Sequence, residues 1–571
     1  MNKKDIVKTL ETIAVYLEIK GENSFKVSAY RKAAQALETD ERSMAEIGNV
    51  AELKGIGKAT AEVIDELAET GGSSLLEELK KEIPDGLIPL LGLPGLGGKK
   101  IARLYDELGV TDVDSLEKAC RSHRVQGLEG FGKKTEDKIL TAIEEAGTRP
   151  ERLPVAFMLA VADDIDRQLV EIPAVERFSR AGSLRRLAET VKDLDYVIAT
   201  TAPLETAEAL FELNGVSGIV NKGETKVTVE FAYNYTVQAD FRLVEPEAFA
   251  TALHHFTGSS DHNVRMRQLA KERGEKISEY GIEVAETGEV RTFEDEASFF
   301  GHFGLNEIPP ELRKGEEELD AFREEVRLIE TADVKADLHM HSTWSDGSHT
   351  IEEMAEAARA KGYSHIAITD HSKSLVVAKG LSEDKLARQR EEIDRLNDKY
   401  GDLTILAGVE MDILANGMLD YSDEILAELD FVIASIHSAF SQDRSVIMHR
   451  LKAALENPHV DLIAHPTGRL IGRRKGYDVD VKALIEMAKE TGTALELNAN
   501  PNRLDLSAEW LRMAQEMGVP LSINTDAHYM KNLDYMPIGL SAAKKAWIRP
   551  ESVINTWTLP KLRQFLNRND S

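Results

Sequence analysis

The chain has 571 residues, 42% of them hydrophobic, and a formal net charge of −29. This length and composition predict several folded domains, and the net charge argues against a uniformly basic nucleic-acid-binding surface. The single cysteine, Cys120, excludes an internal disulfide and a cysteine zinc cluster, as expected in a reducing compartment. No secretory signal or apolar membrane span is evident, so we expect a cytoplasmic protein without a membrane partner.

Residues 1–80 are predicted to form a helical domain, because apolar side chains recur there at helical spacing. Three stretches, Leu53–Gly57, Leu93–Gly97 and Leu128–Gly132, share the form apolar-x-Gly-apolar-Gly, and a helical run with lysine follows each. Glycines in a tight turn before a helix expose backbone N–H groups, to which a DNA phosphate can bind without any contact to a base. The predicted DNA-binding glycines are Gly55, Gly57, Gly95, Gly97, Gly130 and Gly132.

From residue 151 the pattern changes to mixed α/β, and three aspartates stand out. Asp193 and Asp195 are two residues apart in a predicted strand, so their side chains share one face. Asp240 lies in a second alternating run, which we expect to pair beside the first. Three carboxylates can hold two Mg²⁺ or Mn²⁺ ions, and the donors of Gly182–Arg186 suit a triphosphate. The set predicts phosphoryl or nucleotidyl transfer.

The last part of the chain follows an acidic, helical stretch, residues 311–333, that we predict to be a linker. Beyond it short apolar runs alternate with helical runs, and a His, Asp or Glu follows each apolar run. Alternating βα units with polar residues at the strand ends predict a barrel whose chemistry lies at that face. Imidazole and carboxylate ligands together suit Mn²⁺, Zn²⁺ or Fe²⁺. The candidate metal ligands are His339, His341, Asp346, His371, Glu410, His437, His465, Asp526 and His528.

A basic loop follows His465 and contains Arg469, Arg473, Arg474 and Lys475. Such a cluster can receive the backbone of a nucleic-acid strand. A solvated basic loop without a ligand is the alternative, and the sequence leaves both open.

The palm motifs resemble those of family X DNA polymerases. The resemblance rests on Gly182-Ser183-x-Arg-Arg186, on the Asp-x-Asp pair with the later aspartate, on Arg152-Leu153-Pro154 and on Phe256-Thr257-Gly258-Ser259. The glycine repeats resemble helix-hairpin-helix motifs. The region from Val334 resembles the polymerase and histidinol phosphatase (PHP) domain, a distorted (β/α)₇ barrel with a trinuclear metal site.

This resemblance implies a multidomain fold. An α-helical helix-hairpin-helix region is expected at the N-terminus, then an α+β polymerase palm of the nucleotidyltransferase type, then the distorted barrel. The implied divisions are a helical DNA-binding domain over residues 1–80, a helix-hairpin-helix and fingers region over 81–150, a palm and nucleotide-binding subdomain over 151–310, the linker over 311–333 and the PHP domain over 334–571.

The resemblance also implies roles for single residues. Asp193, Asp195 and Asp240 are the expected catalytic and metal-binding residues of the palm. His255 stands where many relatives have tyrosine and, with Phe256, is expected to wall the nucleotide sugar, while Arg267 is expected on the DNA template side. The implied nucleotide-binding residues are Arg152, Gly182, Ser183, Arg186, His255, Phe256, Gly258 and Asn263.

The expected function is gap-filling DNA polymerase with a 3′–5′ exonuclease in the PHP domain, two activities that suit base-excision repair. The expected partners are gapped or primed DNA and dNTPs, bound by a monomer that associates with the nucleoid. Val63 stands where relatives with a deoxyribose phosphate lyase have their lysine, so we do not expect that activity. Three alternatives stay open: a PHP domain that is a silent scaffold, a PHP domain that is a small-molecule phosphatase, and a chain that is a non-enzymatic gap-binding adaptor.

Overall fold

The computed structural model describes residues 3–39, 47, 49–53, 55–93, 96–128, 130–147 and 151–568. The chain divides into two compact units, Met1–Pro150 and Glu151–Ser571. In the described ranges no helix is long and apolar enough to cross a membrane. The finer divisions at residues 80, 310 and 333 stay predictions.

The first unit consists of helices around an apolar core, and it contains the threefold glycine repeat. One hydrogen bond recurs in each copy: the N–H groups of Ile56, Leu96 and Phe131 donate to the carbonyl three residues earlier, at 3.1, 3.2 and 3.0 Å. The repeat predicted from the sequence is therefore confirmed. The α-helices are Lys3–Ile19, Ser24–Thr39, Lys58–Thr70, Ser74–Glu82, Gly98–Leu108, Val113–Arg121 and Lys133–Gly147, and the 3₁₀ turns are Val50–Glu52, Asp85–Gly92 and Val125–Gly127.

The second unit begins with the predicted palm, whose strands are β1 Leu153–Pro154, β2 Arg177–Arg180, β3 Thr190–Val191, β4 Leu194–Ala199, β5 Val216–Lys222, β6 Lys226–Ala232 and β7 Thr236–Val244. Five of them form one sheet in the order β2-β4-β7-β6-β5. Strands β4 and β7 are neighbours, as expected from the alternating pattern around Asp240, and they run parallel, whereas the other pairs of this sheet are antiparallel. Strands β1 and β3 form a separate antiparallel pair.

A three-stranded antiparallel sheet and a second apolar cluster follow the palm sheet. The acidic stretch predicted as a linker contributes Leu312, Leu319, Phe322 and Leu328 to this cluster, all of them buried. Its charged residues cover a folded segment, which sequence composition alone does not reveal. The strands are β8 Glu275–Ser278, β9 Gly281–Val284 and β10 Val290–Arg291.

The rest of this unit is a barrel of seven parallel strands in sequential order, which confirms the predicted (β/α)₇ architecture. A parallel bridge between Met340 and Ala527 joins the first strand to the segment after the last, so the barrel is nearly closed. The strands are β11 Ala336–Met340, β12 His365–Ile368, β13 Thr404–Asp412, β14 Phe431–Ser435, β15 Leu462–Ile463, β16 Ala494–Asn498 and β17 Leu521–Asn524.

Helices alternate with these strands and pack on the sheets through apolar faces. The α-helices of the second unit are Val155–Leu169, Gly182–Arg185, Pro203–Phe211, Phe249–Thr257, Ser260–Glu272, Glu296–His302, Glu318–Ala321, Ile351–Ala360, Glu383–Lys399, Asp423–Leu426, Arg444–Leu455, Val481–Thr491, Ala508–Met517, Met536–Lys545 and Leu559–Leu566.

Candidate active sites

Side chains at one end of the barrel converge on a single cluster, here named the barrel centre. The ninth predicted ligand, His465, places Nε2 2.9 Å from Oε1 of Glu410. The other eight form three overlapping groups, within each of which one ligand atom per residue lies within 4.8 Å of the rest. The groups are His341, Asp346, His371 and His528; His339, His341 and Asp526; and His371, Glu410 and His437.

Imidazole nitrogens without a well-directed hydrogen bond indicate that the barrel centre fits metal ions. Among the predicted ligands, five buried nitrogens make no such bond: Nε2 of His339, Nδ1 and Nε2 of His341, Nδ1 of His371 and Nδ1 of His465. Carboxylate oxygens of Glu410 and Asp526 lie 3.0–3.6 Å from three of these nitrogens, so the lone pairs converge with the acids on one place. Leaving such an atom unsatisfied costs about 1–3 kcal/mol. Divalent cations accept these lone pairs, and the mixture of imidazole and carboxylate donors suits transition metals.

The charges at the barrel centre support the same conclusion. Burial opposes ionisation of Glu410 and Asp526, but the surrounding histidines hold the pKa of each carboxyl well below its usual range. Burial alone lowers the pKa of His437, yet Glu410 and Asp412 raise it to about 10. Without metal, protonated histidines therefore balance the charge of these carboxylates. Bound cations can replace those protons.

The second cluster of acids lies on the palm sheet. Asp195 and Asp240 are opposite each other on the parallel strands β4 and β7. Asp193 comes just before β4 rather than on the strand, but it lies close enough for its charge to act on Asp195. Burial and then the charges of Asp240 and Asp193 raise the pKa of Asp195 to about 6. Lys226 Nζ lies 2.6 Å from Asp240 Oδ2 and so neutralises part of this charge.

A glycine brings the backbone against this palm cluster. Gly182 has φ +58°, in the left-handed region, and a Cβ at this position would overlap Oδ2 of Asp195. Gly182 starts the helix Gly182–Arg185, and half-buried Ser183 follows it. The glycine therefore allows the predicted triphosphate-binding turn to lie directly against Asp195, one of the predicted catalytic acids.

Both predicted nucleotide-binding arginines lie near the palm acids. Arg152 donates to the Thr190 carbonyl at 2.6 Å, and Arg186 donates to the Thr257 carbonyl at 2.5 Å. Burial lowers the pKa of Arg186, and the charge of Arg152 lowers it further, whereas the charge of Asp195 acts in the opposite direction. The two guanidinium groups therefore create a positive potential beside the palm acids.

The remaining predicted nucleotide-binding residues lie around the end of the helix Phe249–Thr257. Asn263 donates to the His255 carbonyl at 2.7 Å, and its Oδ1 is buried without a hydrogen-bond partner. A Cβ at Gly258 would fall 2.5 Å from that oxygen. The Phe256 ring carries the guanidinium of Arg242 at 4.6 Å. Arg267, predicted to face the template, is exposed.

The predicted DNA-binding glycines occupy equivalent positions in the first unit. Gly55 and Gly130 have φ +110° and +82°, while Gly57 and Gly97 are the N-cap residues of helices. Gly132 directly precedes the helix Lys133–Gly147. Gly95 lies outside the described residues.

Comparisons with known proteins agree with this arrangement. Family profiles match a helix-hairpin-helix domain at residues 1–73, a SAM-like helix-hairpin-helix tandem at 87–145, a DNA polymerase beta thumb at 252–314 and a PHP domain at 337–500. A relative from Bacillus subtilis (strain 168), named DNA polymerase/3′-5′ exonuclease PolX, is 57% identical over 570 residues, 100% of both chains. This chain belongs to the family X DNA polymerases with a PHP domain.

The barrel of this family X polymerase also has smaller relatives. Probable phosphatases of Syntrophotalea carbinolica and of Thermoanaerobacter sp. (strain X514) are 29% and 31% identical over 253 and 244 residues. These matches cover 42% and 40% of the polymerase chain and 100% and 93% of the phosphatases.

One buried acid of the family X polymerase is missing from the predicted site. Glu496, on β16, lies 2.8 Å from Nδ1 of His339, and it accepts hydrogen bonds from the His465 N–H at 2.7 Å and from Asn524 at 3.0 Å. It orients two predicted ligands. The run Ala494-Leu495-Glu496-Leu497-Asn498 alternates and so predicts a strand. Its two polar residues, however, interrupt the continuous apolar run that marks the other barrel strands.

Part of the basic loop of the family X polymerase makes contacts within the chain, while Arg473 and Lys475 are exposed. Arg469 pairs with Glu189 of the palm at 2.8 Å, and Arg474 packs on the Phe440 ring at 4.2 Å. A Cβ at Gly472 would lie 2.6 Å from Pro154 of β1. The loop therefore joins the barrel to the palm, a role that the local sequence does not indicate.

Proposed function

We propose that the polymerase and 3′–5′ exonuclease activities of this chain reside in two separate metal centres. The palm acids Asp193, Asp195 and Asp240 serve nucleotide addition, and the barrel centre serves removal of nucleotides from 3′ ends. The observation that carries this proposal is that two clusters of metal-type ligands lie on two different sheets.

In the palm, the three aspartates hold two Mg²⁺ or Mn²⁺ ions. When bound, these ions neutralise charge on the triphosphate and lower the pKa of the primer hydroxyl. Gly182 and Ser183 donate to the triphosphate of a dNTP, and the arginines Arg152 and Arg186 balance its charge. His255, Phe256 and Gly258 shape the sugar pocket, Asn263 contacts the base edge and Arg267 contacts the template.

In the barrel, the nine predicted ligands hold Mn²⁺, Zn²⁺ or Fe²⁺. These metals, when bound, activate water and stabilise charge on a phosphodiester. The ligand side chains fix the position of the scissile phosphate, and Glu496 fixes the tautomer and direction of His339. Six of the nine ligands are buried, and Asp346, His437 and His528 are half-buried, so the site is largely shielded from bulk water.

Gapped or primed DNA is the proposed substrate, bound by the glycine turns of the first unit through its phosphates. We place a monomeric enzyme in the cytoplasm, at the nucleoid when it is bound to DNA, and assign it to base-excision repair. The similarity of the barrel to probable phosphatases supports a second candidate, hydrolysis of small phosphate esters by the same centre.

Metal analysis tests the residue assignments. Protein purified without chelator, and protein stripped and reloaded with Mn²⁺ or Zn²⁺, are analysed by mass spectrometry and by anomalous diffraction at each metal edge. We expect up to three ions at the barrel centre and Mn²⁺ at the palm acids. His339→Ala with His341→Ala should lose barrel ions only, and Asp195→Asn should lose palm ions only. Ions bound elsewhere would contradict the assignment.

A further inference from the structure

Exposed apolar side chains gather at the mouth of the barrel centre. In the described residues fifteen large apolar side chains are exposed, and six of these belong to the barrel. Five of the six lie on three loops that follow the carboxyl ends of β12, β13 and β17, the end that carries the predicted ligands. This set, named the apolar rim, consists of Val376, Val377, Met418, Tyr529 and Met530.

The most exposed part of the apolar rim is held firmly. Val376 and Val377 are 79% and 92% exposed at the tip of the loop that follows ligand His371. The Leu381 N–H donates to the His371 carbonyl at 2.8 Å and so closes this loop. Ser374 joins it to the next loop, because its N–H donates to Asp420 at 2.7 Å. These hydrogen bonds hold the two valines exposed to solvent, although exposure of apolar side chains is unfavourable.

Positive charge accompanies the apolar rim. Lys373 and Lys379 flank the two valines and are exposed, although Lys373 also pairs with Glu383 at 2.5 Å. On the opposite side of the mouth Arg503 Nε lies 3.6 Å from Oδ2 of the predicted ligand Asp526. Such a surface suits single-stranded nucleic acid: a ring such as that of Tyr529 stacks on a base, apolar side chains cover the faces of bases, and cations bind phosphates.

We propose that the apolar rim binds the unstacked bases of the last nucleotides of a DNA strand whose 3′ end enters the barrel centre. His339 and His341 are fully buried beneath these loops, so a duplex end must release its 3′ nucleotides to reach them. The rim contacts bases without hydrogen bonds to their edges and therefore selects unpaired ends of any sequence. This inference rests on the proposed function of the barrel centre.

Two substrates separate base binding from phosphodiester cleavage. A single-stranded oligonucleotide presents bases to the rim, whereas the p-nitrophenyl ester of thymidine 5′-monophosphate presents one phosphodiester without neighbouring nucleotides. For Val376→Ser with Val377→Ser we expect kcat/KM on the oligonucleotide to fall roughly tenfold, because the variant no longer buries apolar side-chain surface against a base. Turnover of the small ester should stay within about twofold of the wild type, because no base lies at the rim. Val170→Ser, a palm valine that is 70% exposed, is the matched control.

Fluorescence reports the unstacking directly. An oligonucleotide with 2-aminopurine next to a phosphorothioate-protected 3′ end should brighten on binding to the metal-loaded wild type and less on binding to the double variant. Equal losses of kcat/KM on the oligonucleotide and on the small ester, or no loss on either, would overturn the role of the rim but not that of the barrel centre. Cleavage of the small ester by His339→Ala at the wild-type rate would overturn the proposed barrel centre and the rim with it.

Discussion

Arg469 of the barrel donates to Glu189 of the palm at 2.8 Å, across 280 positions of sequence. The same guanidinium donates to the Arg503 carbonyl at 3.0 Å and to the Leu504 carbonyl. Glu189 precedes Thr190, whose carbonyl accepts from Arg152. A short run of contacts therefore connects the proposed triphosphate-binding side of the palm with the loops that surround the barrel centre.

Loss of this connection should destabilise the second unit. Arg469→Leu removes the donors of two carbonyls and leaves Glu189 unpaired, so we expect the free energy of unfolding to fall by about 2–3 kcal/mol. Glu189→Gln should cost less than about 1 kcal/mol, since this side chain is 42% exposed. Denaturant unfolding measures both changes. The control is Arg473→Leu, an exposed arginine of the same loop, which should stay within about 0.5 kcal/mol of the wild type. Equal effects of the two arginine variants would refute the connection.

Gly182→Ala should slow DNA synthesis roughly a hundredfold and spare the nuclease. The new methyl group overlaps Asp195, and a displacement of about 1 Å at a reacting centre costs roughly a hundredfold in rate. Primer extension and 3′ shortening are measured in parallel. Gly288→Ala is the control, because Gly288 has φ +71° but no atom within 4 Å of a Cβ. If both variants reduced extension alike, backbone strain rather than overlap would be the cause.

The raised pKa of Asp195 predicts a pH dependence for the metal-free protein. The pKa is 3.8 in the unfolded reference and about 6 in the fold, so the native state binds this proton more tightly. Stability is therefore highest below the unfolded pKa and is lost as the pH rises through the folded pKa. Asp195→Asn lacks this penalty, and its free energy of unfolding relative to wild type should rise by about 2 kcal/mol from pH 4 to pH 7. Denaturant unfolding in EDTA gives this difference, and a flat difference would rule out the shift.

Glu496→Gln should weaken metal binding at the barrel centre. The carboxylate fixes His339 at 2.8 Å, and loss of such a partner typically costs 10–100-fold, or about 1–3 kcal/mol, in metal affinity. Competition with a metal-binding dye measures the affinity, and primer extension should not change. Glu490→Gln, at an exposed position on the helix Val481–Thr491, should behave as wild type. Unchanged affinity in Glu496→Gln would exclude the positioning role.

The sequence predicts the barrel centre well because each ligand follows or lies in a buried strand, and strand ends of a parallel barrel meet at one face. The alternation around Asp240 indicates a strand that can pair beside the one with Asp195, and the structure pairs β4 with β7. Glu496 is missed because a buried acid breaks the apolar run that marks β16 as a strand. Its partners, His339 and Asn524, lie on other strands and are invisible to a local pattern.

The joining loop and the acidic stretch show a second limit. Arg469 and Arg474 have the composition of a nucleic-acid-binding loop, but the partner that decides the role of Arg469 is Glu189, distant in sequence. Likewise the acidic surface of residues 311–333 hides five buried apolar side chains, Ile329 and the four that join the second apolar cluster, because burial depends on neighbours that composition does not name.

Separation of the two activities tests the central claim most directly. A 5′-labelled primer in a gapped duplex is incubated in Mn²⁺ with and without dNTPs, using wild type, Asp193→Ala with Asp195→Ala, and His339→Ala with His341→Ala. Two separate centres predict that the aspartate variant loses only extension and the histidine variant loses only 3′ shortening. Loss of both activities in either variant, with its fold intact, would contradict the claim, and so would shortening that survives without His339 and His341.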